Sequence, residues 1–125
     1  MVDITPVLPK GSQVINSYGG GGFIIGGKSY KGSVIVFPDT TLSWNMLEDD
    51  LIDISKFKAI TDNQERFEIL LFGTGNTHKP IEQKLRQELK NYGIIIDVMN
   101  TGAACRTFNV LLSEERRVAA ALISI

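Results

Sequence analysis

The chain has 125 residues, of which 43% are hydrophobic, so it suits one domain with its own core and is too short for two. Its formal net charge of −1 gives no indication of a nucleic-acid partner. The lone cysteine, Cys105, excludes an internal disulfide, and no run approaches the ~20 apolar residues that a membrane-spanning helix needs. We therefore expect residues 1–125 to form a single intracellular domain.

The first residues carry no recognisable targeting signal. Residues 1–13 have an acid at Asp3 and prolines at Pro6 and Pro9, and they lack the basic start and apolar run of a signal peptide. We expect residues 1–12 to be a loosely structured N-terminal arm ahead of the first strand.

A series of short strands is predicted for the first 46 residues. Residues 14–18 lead into four consecutive glycines and residues 23–25 into a second glycine turn, and glycine accepts the positive φ of tight turns. Residues 33–37 are mostly β-branched and apolar, and the run stops at Pro38. With a further strand at residues 40–46, this stretch predicts a β meander.

An acidic stretch follows these strands. Its four acids lack the ligand spacing of a calcium loop, which favours a solvated face: Glu48, Asp49, Asp50 and Asp53. Residues 55–60 are predicted to form a short helix capped by Asp53 or Ser55. Phe57 and Ile60 are its expected inward residues.

The second half of the chain predicts strands and helices in alternation. Residues 67–72 and 94–99 are largely apolar runs, typical of strands buried on both faces. Between them, Pro80 suits the first turn of a helix and Gly93 its left-handed cap. That helix has one apolar face: Ile81, Leu85, Leu89 and Tyr92. The pattern predicts a βαβ unit with two parallel strands and a right-handed crossover.

A second helix and a last segment complete the predicted elements. Residues 103–112 indicate a helix with Thr101 as its N-cap and with Ala104, Phe108 and either Leu111 or Leu112 inward. Residues 118–123 could prolong that helix, because alanine favours helices, or form a final central strand. We predict a strand, since the apolar strands of the sheet need a partner.

Two loops form the candidate site. Gly73, Thr74 and Gly75 follow a strand and precede a helix, where backbone N–H groups can approach a phosphate. The third glycine of the dinucleotide fingerprint is replaced by His78, so a plain structural turn is the alternative. In an α/β sheet this loop and residues 100–102 should share the carboxyl edge, where such folds place ligands.

Cys105 and Arg106 lie in the first turn of the helix after the second loop. The helix dipole and the guanidinium would favour a thiolate, whereas the alternative is a small buried cysteine that packs the helix on the sheet. A nucleophile needs a base, and His78 is the single histidine. No catalytic set, metal site or cofactor is predicted. The candidate ligand or partner site is Gly73, Thr74, Gly75, Thr101, Cys105 and Arg106.

Other charged and aromatic residues have structural explanations. Four bases are most simply the outer side of the first long helix: Lys79, Lys84, Arg86 and Lys90. Trp44 and Phe108 are either contact anchors for a partner or core residues, and core packing is the simpler interpretation.

The order of several short motifs resembles a known family. The first half contributes residues 16–19, 21–25 and 32–33, then Pro38 and Trp44. The second half contributes residues 72–75, 93–94, 97–99, 101, 104–109, 115, 117 and 118–123. Over about residues 14–123, this order is similar to the family of small domains that includes mitochondrial NADH dehydrogenase (complex I) assembly factor 3 and bacterial and archaeal relatives of unknown function.

The resemblance implies a single three-layer α/β domain with a mixed central sheet, an additional N-terminal β layer and a last strand antiparallel to its neighbours. It also implies a non-enzymatic interaction protein whose partners are assembly intermediates of a respiratory complex. The missing presequence favours a bacterial cytoplasmic protein, peripheral to the inner membrane at most.

Two other functions stay open on the sequence alone. One is a small anionic-ligand-binding or thiol-dependent enzymatic domain that uses the carboxyl edge of the sheet. The other is a structural homodimer whose added β layer supplies the interface.

Overall fold

The chain folds into two β-sheets and three α-helices in the computed structural model, which describes residues 2–4 and 12–125. Six short strands come first, followed by a short helical segment. Strand, helix, strand, helix and strand then alternate, which is the predicted βαβ pattern. The fold is therefore mixed α/β, as the sequence indicated.

The first sheet is a four-stranded antiparallel meander in the order β1-β2-β3-β4. Its strands are Val2–Asp3 (β1), Ile15–Gly19 (β2), Gly22–Ile25 (β3) and Lys28–Lys31 (β4). The β1 strand lies in the predicted loose arm, where Val2 pairs with Tyr18. Residues 1 and 5–11 of that arm lie outside the described residues.

The second sheet has five strands in the order β6-β5-β9-β7-β8. They are Val34–Val36 (β5), Thr41–Ser43 (β6), Ile69–Gly73 (β7), Ile95–Met99 (β8) and Val118–Leu122 (β9). β7 is parallel to both of its neighbours, β8 and β9. β5 is antiparallel to β9 and to β6. The sheet is therefore mixed, and the predicted final strand lies at its centre.

Three expectations about the strands are wrong. The predicted meander is split, because β5 and β6 pair in the second sheet. β9 is antiparallel to β5 only, because the helix before it carries the chain back across the sheet and returns it in the direction of β7. β8 is an edge strand and is not buried on both faces, since Ile95 is 69% exposed.

The described chain has three α-helices, which are Lys58–Thr61 (α1), Gln83–Asn91 (α2) and Thr101–Ser113 (α3). It also has two 3-10 turns, Ile54–Phe57 and Gln64–Arg66. The first turn runs directly into α1, and the Asp53 carboxylate caps it by accepting from the Ser55 N–H (3.0 Å). Phe57 and Ile60 are fully buried, as predicted.

The start of α2 differs from the prediction. The Lys79 N–H donates to the hydroxyl oxygen of Thr74 (3.1 Å), which holds the preceding loop against the end of β7. Because the chain stays extended beyond that contact, α2 begins at Gln83 and not at Pro80. Gly93, with a φ of 78°, follows the helix in the left-handed conformation that the sequence predicted for its cap.

The start of α3 also differs. The side-chain oxygen of Asn100 accepts from the Ala103 N–H (2.8 Å), so Asn100 is the N-cap. Thr101 is instead the first helical residue, because its hydroxyl is used in contacts with two neighbouring strand ends described below. Ala104 and Phe108 face inward as predicted, and both are fully buried.

The five-stranded sheet is the middle of three layers, which confirms the predicted architecture. One face packs with α2 and the first helical segment in a first core that includes Ile35, Leu70, Phe72, Ala119 and Ala121. The opposite face packs with α3 and the four-stranded sheet in a second core that includes Val34, Val36, Leu71, Ala120 and Leu122. Because residues alternate faces along a strand, β7 and β9 contribute to both cores.

The aromatic residues that could have been contact anchors are core residues. Trp44 is 9% exposed, and its ring centroid lies 5.6 Å from that of Phe57 and 5.9 Å from that of Phe72. Its indole N–H donates to the carbonyl oxygen of Lys56 (2.8 Å), which satisfies the buried polar atom. Phe108 is fully buried in the second core.

Candidate functional site

The two predicted loops lie side by side at one rim of the five-stranded sheet. The Thr74 N–H donates to the Met99 carbonyl at the end of β8 (2.9 Å). The Thr101 N–H donates to the Gly75 carbonyl (2.9 Å), so the loops after β7 and β8 are joined directly. This arrangement follows from parallel strands, whose carboxyl ends meet at the same edge.

The Thr101 hydroxyl bonds to two strand ends beside its own. Its oxygen accepts from the Gly75 N–H (2.9 Å), and the hydroxyl donates to the Ile123 carbonyl just beyond β9 (2.7 Å). The side chain is fully buried. Thr101 therefore fastens the loop after β7, the start of α3 and the end of β9 to one another.

Glu48, which we had expected on a solvated acidic face, fixes the rest of the first loop. The Glu48 carboxylate accepts from the Asn76 N–H (2.8 Å), and the Lys79 ammonium donates to the Glu48 backbone carbonyl (2.7 Å). At Gly75, whose φ is 107°, an added Cβ would lie 2.3 Å from the Glu48 carboxylate oxygen. Glu48 thus closes over the loop, which corrects the expectation of a free acidic surface at that residue.

The backbone N–H groups needed by a phosphate are therefore already in use within this loop. Those of Thr74, Gly75 and Asn76 donate to Met99, Thr101 and Glu48 respectively. A bound anion would have to displace protein acceptors, and at the buried Thr74 and Gly75 this displacement is costly. The geometry is that of a structural turn, the alternative that the missing third glycine had left open.

Cys105 lies on α3 and is fully buried in the second core. This burial raises the pKa of its thiol to about 12. The nearby charge of Arg106 lowers that pKa, but its effect is smaller than that of burial. His78 is exposed on the loop. The structure therefore confirms the alternative of a small buried cysteine that packs the helix on the sheet, because desolvation penalises a buried thiolate.

Arg106 is the exposed member of the six candidate residues. Its guanidinium donates to the hydroxyl oxygen of Tyr18 (2.6 Å), and Tyr18 lies so close to α3 that a Cβ at Gly102 would be 2.9 Å from that oxygen. Arg106 thereby links α3 to β2, and it also borders a shallow surface groove with Asn109 and Val110.

The structure joins the two loops of the predicted site, but it encloses most of the six residues. Five are buried, and only the Arg106 side chain reaches the surface: Gly73, Thr74, Gly75, Thr101, Cys105 and Arg106. Ligand or partner binding at these residues stays a prediction, and the geometry restricts direct contact to the surroundings of Arg106.

Sequence reasoning missed the role of Asn109. Its side chain accepts from the Ile15 N–H and donates to the Ile15 carbonyl, both at 2.9 Å, and it is 5% exposed. The available signal was its position next to Phe108 on the inward side of a helix, where a polar residue needs a partner.

Comparison with known proteins gives the family. Residues 15–123 match the family model described as a protein of unknown function (DUF498/DUF598). The chain belongs to this family. It is 37% identical over 122 residues to NADH dehydrogenase (ubiquinone) 1 alpha subcomplex assembly factor 3 of Danio rerio, and the match covers 98% of this chain and 70% of that protein. The chain spans 60% of the length of the Xenopus tropicalis protein of the same name.

Bacterial relatives extend the similarity. An uncharacterised protein of Rhodobacter capsulatus is 32% identical over 113 residues, covering 90% of this chain and 86% of that one. A crystal structure of a Bartonella henselae protein, described as an outer membrane protein, superposes with a TM-score of 0.83 at 36% identity. That match covers 92% of this chain and 97% of the other, so the fold is shared over nearly the whole length. Within residues 2–4 and 12–125, no helix has the length and apolar content to cross a membrane.

Proposed function

We propose that this chain is a non-enzymatic interaction protein that assists the assembly of a respiratory NADH dehydrogenase. The observation that carries the proposal is the 37% identity to the Danio rerio assembly factor over 98% of this chain. A fold preserved over that length offers the same layers and rims for contact with other proteins.

The geometry of the rim supports a binding role over a catalytic one. Its thiol is buried with a raised pKa, and its backbone N–H groups are held by protein acceptors. A catalytic site needs groups that reach the substrate, whereas an assembly factor needs a stable, shaped surface. The small-ligand alternative has no comparable observation in its favour.

The proposal places the protein where the complex is built. We expect a bacterial cytoplasmic protein that touches the inner membrane only through its partners, which would be assembly intermediates of the complex. Cell fractionation tests this location, because an integral membrane protein would stay in the pellet after a high-salt wash and this protein should be released.

Deletion of the gene in the organism that carries it tests the function. We expect less assembled NADH dehydrogenase on native gels and lower NADH oxidation by isolated membranes, restored by the intact gene. Succinate oxidation by the same membranes is the control, since it should be unchanged.

A deletion strain with normal amounts of assembled and active NADH dehydrogenase would reject the proposal. An equal loss of NADH and succinate oxidation would also reject it, because that result indicates a general respiratory defect and no specific role in one complex.

A further inference from the structure

The outer edge of the five-stranded sheet is open along β8. This strand pairs with β7 over five consecutive residues without a register shift, and no strand of the described chain lies on its other side. An edge strand presents backbone N–H and C=O groups that a further strand can bind. The other sheet edges offer less, because β1 has two residues, β6 has three and β4 carries Lys28 and Lys31.

The open side of β8 can be assigned from its hydrogen bonds. The Met99 carbonyl accepts from Thr74, which follows β7, so it points toward β7. Carbonyl directions alternate along a strand, so the Ile96 carbonyl, three residues earlier, points away from β7. The Arg86 guanidinium donates to that carbonyl (2.9 Å), so it lies at the edge and already binds one of the outward-pointing carbonyls.

One flank of α2 makes this edge basic. Arg86 and Lys90 line a groove of about 300 Å³ together with Ile94, Ile95 and Ile96. Neither base takes part in an ion pair with a described residue. The opposite flank of α2 carries Lys84 and Glu88, which face the loop before the first helical turn.

The two faces of the edge differ in chemistry. Ile96 is buried beneath α2, so the bases border that face of the strand. Ile95 is 69% exposed and Asp97 is exposed, and both lie on the other face because residues alternate along a strand. A strand added here would meet positive charge on one face and the Ile95 and Asp97 side chains on the other.

We propose that the β8 edge binds an extended segment of a partner protein in which carboxylate and apolar side chains alternate. Its backbone would extend the sheet, its carboxylates would face Arg86 and Lys90, and its apolar side chains would cover Ile95. The identity of the partner rests on the proposed function, since the segment would belong to a protein of the assembly pathway. The chemistry of the binding site is independent of that function.

Charge also argues against a second copy of this chain at the same edge. A two-fold pairing of β8 with itself would bring the Arg86 and Lys90 flanks of both copies to the same face. It would also bring the two Asp97 side chains near each other, and like charges opposite one another destabilise a strand pair. An acidic partner strand has neither conflict.

Binding of a synthetic peptide tests the inference. The probe is a labelled peptide in which glutamate and valine alternate, and the controls have the same composition in blocks, or N-methyl groups on alternate backbone nitrogens. We expect saturable binding of the alternating peptide alone, with NMR shifts concentrated at β8, Arg86 and Lys90. Equal binding of the N-methylated peptide, shifts centred on β4, or no binding up to about 1 mM would overturn the proposal.

Two matched charge reversals test which flank of α2 contributes electrostatically to peptide binding. Lys90→Glu should weaken binding about tenfold, whereas Lys84→Glu on the opposite flank of α2 should change it less than about twofold. Ile95→Glu should also weaken it. Similar losses for both lysine variants would overturn the proposal, because they would indicate a response to net charge. Light scattering that shows a dimer dissociated by Ile95→Glu without peptide would assign the edge to a second copy.

The two proposals fail separately. If peptide binding maps to β8 but the deletion strain assembles NADH dehydrogenase normally, the edge site stands and the assembly role falls. If the deletion strain is defective but the peptide does not bind, the assembly role stands and the edge site falls.

Discussion

At the scale of single residues, the rim is stabilised by one hydroxyl group. Thr101 is fully buried; its hydroxyl oxygen accepts from the Gly75 N–H, and its O–H donates to the Ile123 carbonyl. Valine has almost the same shape as threonine but can do neither, which would leave an N–H and a carbonyl without partners in the interior. Buried polar groups without partners are costly, so the hydroxyl matters more than the methyl group beside it.

Thr101→Val should therefore lower the free energy of unfolding by about 2–3 kcal/mol, and Thr101→Ser by about 1 kcal/mol. Urea titration followed by the fluorescence of Trp44, the single tryptophan, measures both. A serine variant that is less stable than the valine variant would contradict the assignment, because it would mean that packing of the methyl group dominates.

Burial of Cys105 makes stability depend on alkaline pH. Its pKa is raised from 9.0 to about 12 in the folded protein, so between these values the unfolded chain releases the proton and the folded protein keeps it. This contribution to stability is present below about pH 9 and is lost as the pH rises toward 12. Cys105→Ala should flatten the fall in unfolding free energy between pH 9 and about pH 10.5, measured by urea titration.

The same burial predicts slow chemical modification. Ellman's reagent should react with the native Cys105 thiol only as fast as the protein opens. In 8 M urea the reaction should be fast, on the order of the rate of a free thiol. Fast reaction of the native protein, or an unchanged pH slope in the alanine variant, would show that the thiol is accessible.

At the scale of secondary-structure elements, α3 and the first sheet are joined by a side chain. Asn109 on α3 makes two hydrogen bonds to the backbone of Ile15 on β2 at 2.9 Å each, and Arg106 adds a bond to Tyr18 one helical turn away. The four-stranded sheet is therefore attached to the helix by polar contacts as well as by the second core.

Asn109→Leu should lower the free energy of unfolding by about 2–4 kcal/mol, because both polar groups of Ile15 lose their partner in a buried position. Asn91→Leu, an exposed change at the end of α2, is the matched control and should alter stability by less than about 0.5 kcal/mol. Equal effects of the two substitutions in urea titrations would contradict the role of Asn109.

The sequence predicted the elements better than their partners. Apolar periodicity and the glycine cap located β7, α2, β8 and α3, because those signals are local. For β9, local composition left helix and strand open, and the need of the sheet for a partner strand decided the prediction. The start of α2 was wrong because the loop before it is held by contacts of the Thr74 hydroxyl and of Glu48, and Glu48 lies 28 residues before its partner Asn76. The assignment of β5 to the second sheet depends on pairing with β9, 84 or more residues later, which local patterns do not contain.

The candidate site shows the same division. That the loops after β7 and β8 would meet followed from two parallel strands. The side chains between the two loops could not be predicted in the same way. The positions of the Thr101 hydroxyl and the Glu48 carboxylate, and the burial of Cys105, are defined only by the assembled layers.

At the scale of the whole molecule, the central sheet couples the two cores. Leu70 and Leu71 are neighbours on β7, both are at most 1% exposed, and they belong to the first and second core respectively. A strand cannot separate from one core without leaving the other. Since domains of this size usually unfold in a single cooperative transition, a destabilising substitution in either core should lower the stability of the whole domain.

Leu70→Ala and Leu71→Ala should each lower the free energy of unfolding by about 2–5 kcal/mol, through lost burial and the cavity that remains. Trp44 reports on the first core alone, whereas far-ultraviolet circular dichroism reports on all helices and strands. If the cores are coupled, both signals should shift to the same lower urea midpoint in Leu71→Ala, although the substitution lies on the face opposite the tryptophan. A Leu71→Ala protein whose dichroism midpoint falls while its fluorescence midpoint stays at the wild-type value would show that the two cores unfold independently.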